Sequence, residues 1–351
     1  MLAEADHKYM QRCIELALNA EGLTYPNPMV GAVVVHDDVI LGEGYHVYAG
    51  GPHAEVVAIN AVKKRELLPE STLYVSLEPC CHYGKTPPCT DLIISSGIPR
   101  VVVGTIDTST KVSGRGVAIL REAGKEVKVG VIENECRWVN RRFFTYHERK
   151  RPYITLKWAE SADGFIDIER PEGSPAGPYW ITGMAERVLV HKWRASEEAI
   201  LVGGETIRKD NPRLNVRYWK GKDPVKIILS RSGNIGSYFS GKRADGGIIV
   251  FTGNREFKPD GAEVVFLEEN EPAALRICKT LYDKGIQSLF IEGGAKVIQH
   301  FISEGLWDEA RIFRGRKYFR NGIKAPVAGG RVISETLFES GVLEVLSNDY
   351  L

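Results

Sequence analysis

With 351 residues, 43% of them hydrophobic and 26% charged, the chain has the composition of a globular protein and the length of two ordinary domains. Its 46 Lys and Arg balance 45 Asp and Glu, and a formal net charge of +1 excludes a broad electrostatic pull towards nucleic acid or anionic membrane. Six cysteines (Cys13, Cys80, Cys81, Cys89, Cys136 and Cys278) are too few and too scattered for a disulfide framework, which points to a reducing compartment. The opening M-L-A-E-A-D-H-K-Y-M lacks the basic and apolar regions of a signal peptide, and no run of about 18 apolar residues occurs. A soluble, cytoplasmic protein without membrane contact is expected.

Residues 7 to 20 place Tyr9, Met10, Cys13, Ile14, Leu16 and Ala17 on one helical face. A breaker-rich turn from Gly22 to Pro28 follows. Two strand-like runs, G-A-V-V-V-H and V-I-L-G-E-G-Y-H, then join across Asp37-Asp38 as a hairpin. Asn27 stands between two prolines, where a stiff loop could hold its amide against a substrate base. A turn-forming Asn explains it equally well.

The stretch from His53 to Cys89 carries the chemistry. His53 supplies an imidazole and Cys80 and Cys89 supply thiolates, a set that suits zinc and leaves its fourth tetrahedral position open. Glu55, two residues after His53, shares the same helix start without being a ligand and can shuttle a proton. A lone His beside an acid is usually a surface pair, and neighbouring cysteines are often buried hydrophobes. Here, however, H-A-E precedes an apolar helix pattern (Val56, Val57, Ile59, Ala61, Val62), and a strand-like T-L-Y-V-S-L runs straight into Pro79-Cys80. A catalytic zinc is therefore favoured over a closed structural zinc or none. Cys81 and His82 sit beside Cys80; the Pro-Cys pairing favours Cys80 as ligand and leaves His82 to face substrate. The H-x-E then P-C layout is a known signature of zinc-dependent deaminases, applied here as a pattern rather than derived.

Beyond it, T-D-L-I-I-S-S-G-I reads as a short helix starting at Cys89, whose N-terminus would favour that thiolate. R-V-V-V-G-T is a buried strand, and a helix around Val117 to Ala123 leads into the strand E-V-K-V-G-V. The alternation argues for an α/β sheet with helices on its faces. The polar, basic stretch D-T-S-T-K-V-S-G-R-G could wrap a phosphorylated substrate near the zinc, a plain surface loop being the default.

A boundary is expected near 145 to 152, where T-Y-H-E-R-K-R-P is charged and lacks periodicity. Y-I-T-L-K-W-A then opens a second half. A Pro/Gly-rich loop spans 168 to 178, and Thr182 is expected to cap a helix through Arg194. E-E-A-I-L-V-G-G, P-V-K-I-I-L-S, G-G-I-I-V-F-T-G, A-E-V-V-F-L and S-L-F-I-E-G-G read as strands, with helices at 271 to 284 and 295 to 304. No G-x-G-x-x-G follows a strand, which disfavours a dinucleotide fold of that kind. The glycines of I-E-G-G-A-K suit either a phosphate at a helix start or a tight turn. Arg194, Arg208, Arg213 and Arg217 are candidate anion clamps.

The chain resembles the bifunctional deaminase/reductase family of riboflavin biosynthesis over nearly its whole length. T-Y-P-N-P-M-V-G-A-V-V-V, G-P-H-A-E-V-V-A, L-Y-V-S-L-E-P-C-C-H-Y-G-K-T-P-P-C and D-T-S-T-K-V-S-G-R-G match the deaminase half. L-K-W-A-E-S-A-D-G, Y-W-I-T, R-A-S-E-E-A-I-L-V-G-G-E-T-I-R-K-D-N-P-R-L-N-V-R and I-E-G-G-A match the reductase half. The eight residues between Cys80 and Cys89 separate it from nucleic-acid deaminases, which usually keep two there. The resemblance implies a cytidine-deaminase-like three-layer α/β domain over 1–147 and a dihydrofolate-reductase-like domain over 148–351. It implies one catalytic zinc and NADPH. The implied substrate is a phosphoribosylated diaminopyrimidinone, first deaminated with Glu55 moving the proton and then reduced at C1′ of the opened ribosyl group. Trp180, Thr206, Asp210, Gly294 and Ala295 would contact the dinucleotide, and Arg194, Leu214, Arg217 and Glu292 would hold the substrate, with Asn27 and His82 at the deaminase site. Partners would be small molecules, with no nucleic acid or membrane and with room for a homo-oligomer. Three departures stand out: Pro178 where a Ser is common, Ser161-Ala162-Asp163-Gly164 for Ser-Leu-Asp-Gly, and D-E-A-R-I-F-R-G-R-K-Y-F in place of a more apolar final strand. The rival readings are a nucleic-acid base deaminase, a zinc-stabilised scaffold with four protein ligands, and a live deaminase joined to a degenerate reductase.

Overall fold

Alternation along the first strands decides the architecture of the first half. Val33, Val35, Tyr74 and Val102 go to one buried cluster, while Ala32, Val34, Leu73, Val75, Val101 and Val103 go to another. Successive side chains of a strand point to opposite faces, so this sheet is covered on both sides. The computed structural model describes residues 2–83, 87–109, 112–170, 177, 179–235, 238 and 247–348. It divides into two units, Met1–Lys150 and Arg151–Leu351.

The first unit opens with α1 (Leu2–Leu18), β1 (Gly31–His36), β2 (Val39–Tyr45) and α2 (Ala54–Ala61). The expected hairpin is present: Asp37 and Asp38 both adopt positive φ (46° and 57°), as a two-residue turn between twisted strands requires. β3 (Thr72–Leu77), α3 (Cys89–Ser95), β4 (Arg100–Thr105), α4 (Arg115–Glu122) and β5 (Glu126–Val129) follow, then α5 (Glu133–Val139) and α6 (Arg141–Arg149). The sheet order is β2-β1-β3-β4-β5, with β1 antiparallel to both neighbours and β3, β4 and β5 parallel. One face packs on α1 and α5, the other on α2, α3 and α4, which makes three layers. The two units divide within the stretch expected as a boundary, but residues 145–149 of it are the end of α6 and not aperiodic chain. Phe143 and Phe144 at its start are buried on Leu77, and the charged last turn masked the period.

The second unit runs β6 (Tyr153–Glu160), β7 (Phe165–Asp167), α7 (Met184–Ser196), β8 (Ala199–Gly203), α8 (Gly204–Asp210), β9 (Val225–Leu229) and β10 (Ile248–Thr252). It continues through β11 (Glu263–Phe266), α9 (Ala273–Asp283), β12 (Ser288–Gly293), α10 (Ala295–Ser303), β13 (Glu309–Gly315), β14 (Ile323–Lys324), β15 (Arg331–Phe338) and β16 (Gly341–Ser347). Nine strands form one sheet in the order β11-β10-β9-β8-β12-β6-β13-β16-β15, parallel up to β13 and antiparallel in the last two pairings. Clusters on both faces bury its central strands, while the edge strand β15 is exposed. One expectation is corrected. Gly183, not Thr182, stands at the N-cap of α7, with no side-chain capping bond. The departure D-E-A-R-I-F-R-G is an interior strand, β13, whose charges are neutralised locally: Arg311 Nε donates to Glu309 Oε1 at 2.5 Å, Tyr153 donates to Glu309 at 3.1 Å, and the Arg311 guanidinium lies 4.5 Å from the Trp193 ring centre. Pro178 lies outside the described residues. Among the described residues no helix is long and apolar enough to cross a membrane.

Candidate active sites

The N-terminus of α2 and the two ends of the Cys80–Cys89 loop bring three ligand-type atoms together in the first unit. His53 is the N-cap of α2, in extended conformation, so its side chain leaves the helix while Glu55 lies within the first turn. His53 Nδ1 is 3.4 Å from Cys80 Sγ and 3.3 Å from Cys89 Sγ, and all three atoms lie within 4.8 Å of one another. A tetrahedral zinc with ordinary S and N bond lengths needs ligand edges of about 3.6–3.8 Å, so the three side chains fit the ion with little adjustment. Cys89 is the first residue of α3, as expected, but its backbone N–H donates to Cys80 Sγ at 3.3 Å. The helix start therefore serves the thiolate of Cys80. Hydrogen bonding from Cys89, and against burial from His53, holds Cys80 down to about 4, whereas the bond to Cys80 together with burial pushes the Cys89 thiol far up. The Cys80 contact also raises His53. Bound zinc would take both sulfurs as thiolates.

Glu55 is 3% exposed, and burial pushes its carboxyl up to about 7, with Cys80 adding to the push and His53 opposing it. A carboxyl poised there can accept and return a proton near neutral pH. His82 is exposed, with no hydrogen-bonding partner shown. Asn27 is half-buried, and its Nδ2 lies 3.1 Å from Nε2 of His46, a residue that the sequence reading passed over. His46 is buried, its Nδ1 is 2.9 Å from the Pro52 carbonyl, and its ring meets that of His53 edge-on at 5.4 Å. A carbonyl only accepts, so Nδ1 carries the proton and Nε2 accepts from Asn27; burial favours this neutral ring. Asn140 makes two bonds of 2.8 Å with the backbone of Met29 and fixes the loop behind Asn27. Nothing in the local pattern marks them: His46 is held by a backbone carbonyl six residues on, which carries no side-chain signature, and the Asn140 partner Met29 is 111 positions away.

In the second unit Arg194 Nε and Nη2 grip Glu292 at 2.5 and 2.7 Å, and Nη1 donates to the Asn215 carbonyl at 3.1 Å. Three of the five guanidinium N–H groups are thus committed, leaving one on each terminal nitrogen. Arg217 donates its backbone N–H to His191 Nδ1 at 2.9 Å and its Nη1 to Asn215 Oδ1 at 2.5 Å, while its side chain remains exposed. Burial, with Arg194 and Arg217 nearby, drives His191 down to about 4, so the ring is a neutral acceptor. Leu214 is buried with φ 53°. Lys157, which sequence reasoning also missed, has its pKa lowered by burial and by Arg194 and partly restored by Glu292. It belongs to the same charged group.

A second group forms around α8 and α10. Gly294 is the N-cap of α10 with φ 83°, and a Cβ there would lie 3.3 Å from Thr206 Oγ1. Ala295 opens the helix, whose first amides have no intrahelical acceptor. Asp210 ends α8, with Oδ1 3.2 Å from Arg170 Nη2; Arg170 also binds Asp167 and lines a cavity of about 520 Å³ with Ile168, Glu169, Phe319 and Asn321. Trp180 is 47% exposed under the Arg187 guanidinium, 4.6 Å from the ring centre. No hydrogen bond, ion pair or ring contact shown among the described residues joins it to Thr206 or Gly294. Arg208 is exposed and donates to the Asn234 carbonyl at 2.6 Å, and Arg213 is exposed.

Residues 152–318 match the family model described as the RibD C-terminal domain, and residues 3–105 match that of the cytidine and deoxycytidylate deaminase zinc-binding region. The riboflavin biosynthesis protein RibD of Aquifex aeolicus is 42% identical over 96% of this chain and 94% of its own length. That of Bacillus amyloliquefaciens is 38% identical over 87% and 83%. A crystal structure of a diaminohydroxyphosphoribosylaminopyrimidine deaminase/5-amino-6-(5-phosphoribosylamino)uracil reductase from Thermotoga maritima is 38% identical, with a TM-score of 0.87 over 99% of this chain and 100% of that one.

Proposed function

The chain belongs to the RibD family of bifunctional riboflavin-biosynthesis enzymes, and from that premise we propose which of its residues carry the two reactions. It is a deaminase and a reductase, with zinc and NADPH as cofactors. We assign deamination of the diaminopyrimidinone ribosyl phosphate to residues 1–147, and reduction of the ribosyl group of the resulting aminouracil to residues 148–351. The observation that carries the first assignment is the convergence of His53, Cys80 and Cys89 beside a buried carboxyl. Near-neutral charge and six free cysteines support a small-molecule enzyme working in a reducing, cytoplasmic setting without nucleic acid or membrane.

His53 Nδ1 and the sulfurs of Cys80 and Cys89 would hold the zinc. When bound, the ion supplies Lewis acidity that makes water nucleophilic near neutral pH. Glu55 takes the proton of that water on its carboxylate and returns it to the departing ammonia. Burial raises the affinity of Glu55 for the proton it has to carry. Asn27, oriented by His46, presents an amide to the pyrimidine edge, and His82 is exposed for substrate.

In the reductase, Arg194 keeps two N–H groups for substrate while Glu292 and Asn215 fix its plane, and Arg217 adds an exposed charge for the phosphate. Lys157 stands beside this pair as a proton donor of lowered pKa. Thr206, Asp210, Trp180, Gly294 and Ala295 receive the dinucleotide, with the α10 N-terminus towards its phosphates. When bound, NADPH would supply the hydride, and these residues would orient it.

The test is Glu55→Gln in the full chain, with ammonia release and nicotinamide absorbance followed separately. Zinc content and reduction of the aminouracil phosphate should stay at wild-type levels, and deamination should fall about 10²–10⁴-fold. Deamination at the wild-type rate would remove Glu55 from the mechanism.

A further inference from the structure

Glu78 is the residue before Pro79-Cys80, it is 4% exposed, and no cation holds it among the contacts of the described residues. Its carboxylate instead collects three backbone amides from one distant segment. Oε2 accepts from Asp107 N at 3.2 Å and Gly114 N at 2.9 Å, and Oε1 accepts from Val117 N at 3.1 Å. Both oxygens are thus spent on the loop that follows β4 and on the first turn of α4. The same contact is sealed from the other side: a Cβ on Gly116 would lie 2.2 Å from the Pro79 carbonyl, so the start of α4 rests directly on the residue beside Cys80. Within the loop the Asp107 carboxylate takes the Ser109 amide at 2.6 Å. The Thr108 hydroxyl oxygen is buried with no hydrogen-bond partner among the described residues, as expected of a group that awaits one from a ligand.

We propose that Glu78 is a positioning residue for deamination, whose carboxylate fastens Asp107 and the 112–117 segment to Pro79-Cys80 so that these residues hold substrate in register with the zinc ligand. The inference rests on the deaminase reading of the first unit and extends it to a residue that touches neither metal nor substrate. A buried carboxylate is the one side chain that can accept all three amides; an amide of the same shape turns an N–H₂ towards at least one of them. The effect should therefore fall on substrate binding, because His53, Glu55 and Cys89 are anchored at the starts of α2 and α3 and Cys80 is held separately by the Cys89 and Thr90 amides, at 3.3 Å on its sulfur and 3.2 Å on its carbonyl.

The experiment compares Glu78→Gln with wild type as full-length zinc enzyme. It measures zinc per chain, kcat and KM for ammonia release, amide exchange at Gly114 and Val117, and aminouracil phosphate reduction as an internal control. Expected are unchanged zinc and reduction, faster exchange at both amides, and a deamination KM raised about tenfold or more with kcat within about threefold. An unchanged KM despite faster exchange would make the contact merely structural and overturn the proposal. Loss of zinc, or of kcat alone, would overturn it by placing the effect on the metal segment. If Glu78→Gln does not fold, Gly116→Ala, which prises α4 from Pro79, decides in the same terms: a raised KM with zinc retained supports the role and an unchanged KM overturns it. A wild-type enzyme that released no ammonia would refute the deaminase reading itself, and would show it before any variant was compared.

Discussion

Glu292→Gln isolates the strongest electrostatic feature of the reductase unit. The Arg194 and Glu292 side chains are 11% and 7% exposed, and they share two charge-assisted bonds of 2.5 and 2.7 Å. The glutamine oxygen can take one of those N–H groups, but its amide nitrogen faces the other, and the guanidinium loses its bonded counter-charge and keeps the Asn215 carbonyl and the weaker pull of Asp223. Removing one partner of a buried pair typically costs about 3–5 kcal/mol. For a unit of about 200 residues each kcal/mol moves Tm by about 2–4 °C, so the reductase transition should drop by about 6–20 °C. Glu292 also partly offsets the burial that depresses Lys157, so losing it should move that ammonium further down and shift the pH profile of reduction to lower pH. The assay is thermal inactivation of both activities in the same preparation, with the pH dependence of reduction read below the transition. Ammonia release should survive at temperatures that abolish reduction. A fall of less than about 2 °C together with an unchanged pH profile would refute the view that the pair is a buried, mutually dependent unit.

Asp6→Asn should destabilise the deaminase unit. Burial works to raise the Asp6 pKa, but hydrogen bonds from Arg100 (3.1 and 2.9 Å), Lys128 (2.8 Å) and Tyr74 (3.0 Å) prevail and hold it below the usual carboxylate range. With its folded pKa depressed, this carboxylate contributes fully above its unfolded value of about 3.9 and loses the contribution as pH falls through the folded value. Denaturant titration should give a loss of about 2–3 kcal/mol at pH 7, moderated by the partly exposed Lys128, with the gap to wild type closing below about pH 4. A gap constant from pH 7 to pH 3 would contradict the assignment. Gly294→Ala places a side chain at φ 83° and 3.3 Å from the Thr206 hydroxyl. It should cost about 1–2 kcal/mol and raise the KM for NADPH severalfold, with ammonia release unaffected, and an unaltered KM would count against a dinucleotide at the α10 start.

The zinc centre was legible in the sequence because its determinants are local. His53 and Glu55 open one helix, Cys80 follows a strand, and Cys89 opens the next helix, so hydrophobic period and spacing together point to it. The alternating sheet of the first unit and the parallel strands β6 and β8 to β12 were readable for the same reason. What escaped has a common physical cause. α6 is only nine residues long and opens on Arg141 and Arg142, so its buried Phe143 and Phe144 give too few repeats for the pattern to be read. β13 buries Glu309 and Arg311, which only their mutual pairing makes tolerable, and β15 is exposed along nearly its whole length, so neither shows a strand's usual pattern.

The same distinction separates the two sites. The arginine at position 194 looked like an anion clamp because sequence shows a residue's charge without its counter-charge; in the fold most of that charge faces Glu292, 98 positions away. Lys157, invisible as one more lysine in a strand, acquires its lowered pKa only from the burial and the pair around it. His46 and Glu78 act through contacts with Pro52, Asn27, Asp107 and the 112–117 segment that cost the sequence no recognisable motif. A metal site can be read from spacing because an ion demands several donors of particular kinds. A binding surface held by carbonyls and amides demands only shape, which many sequences supply. The residues whose function depends on such distant backbone partners, Glu78 among them, are therefore those where the structure adds most to what the sequence already states.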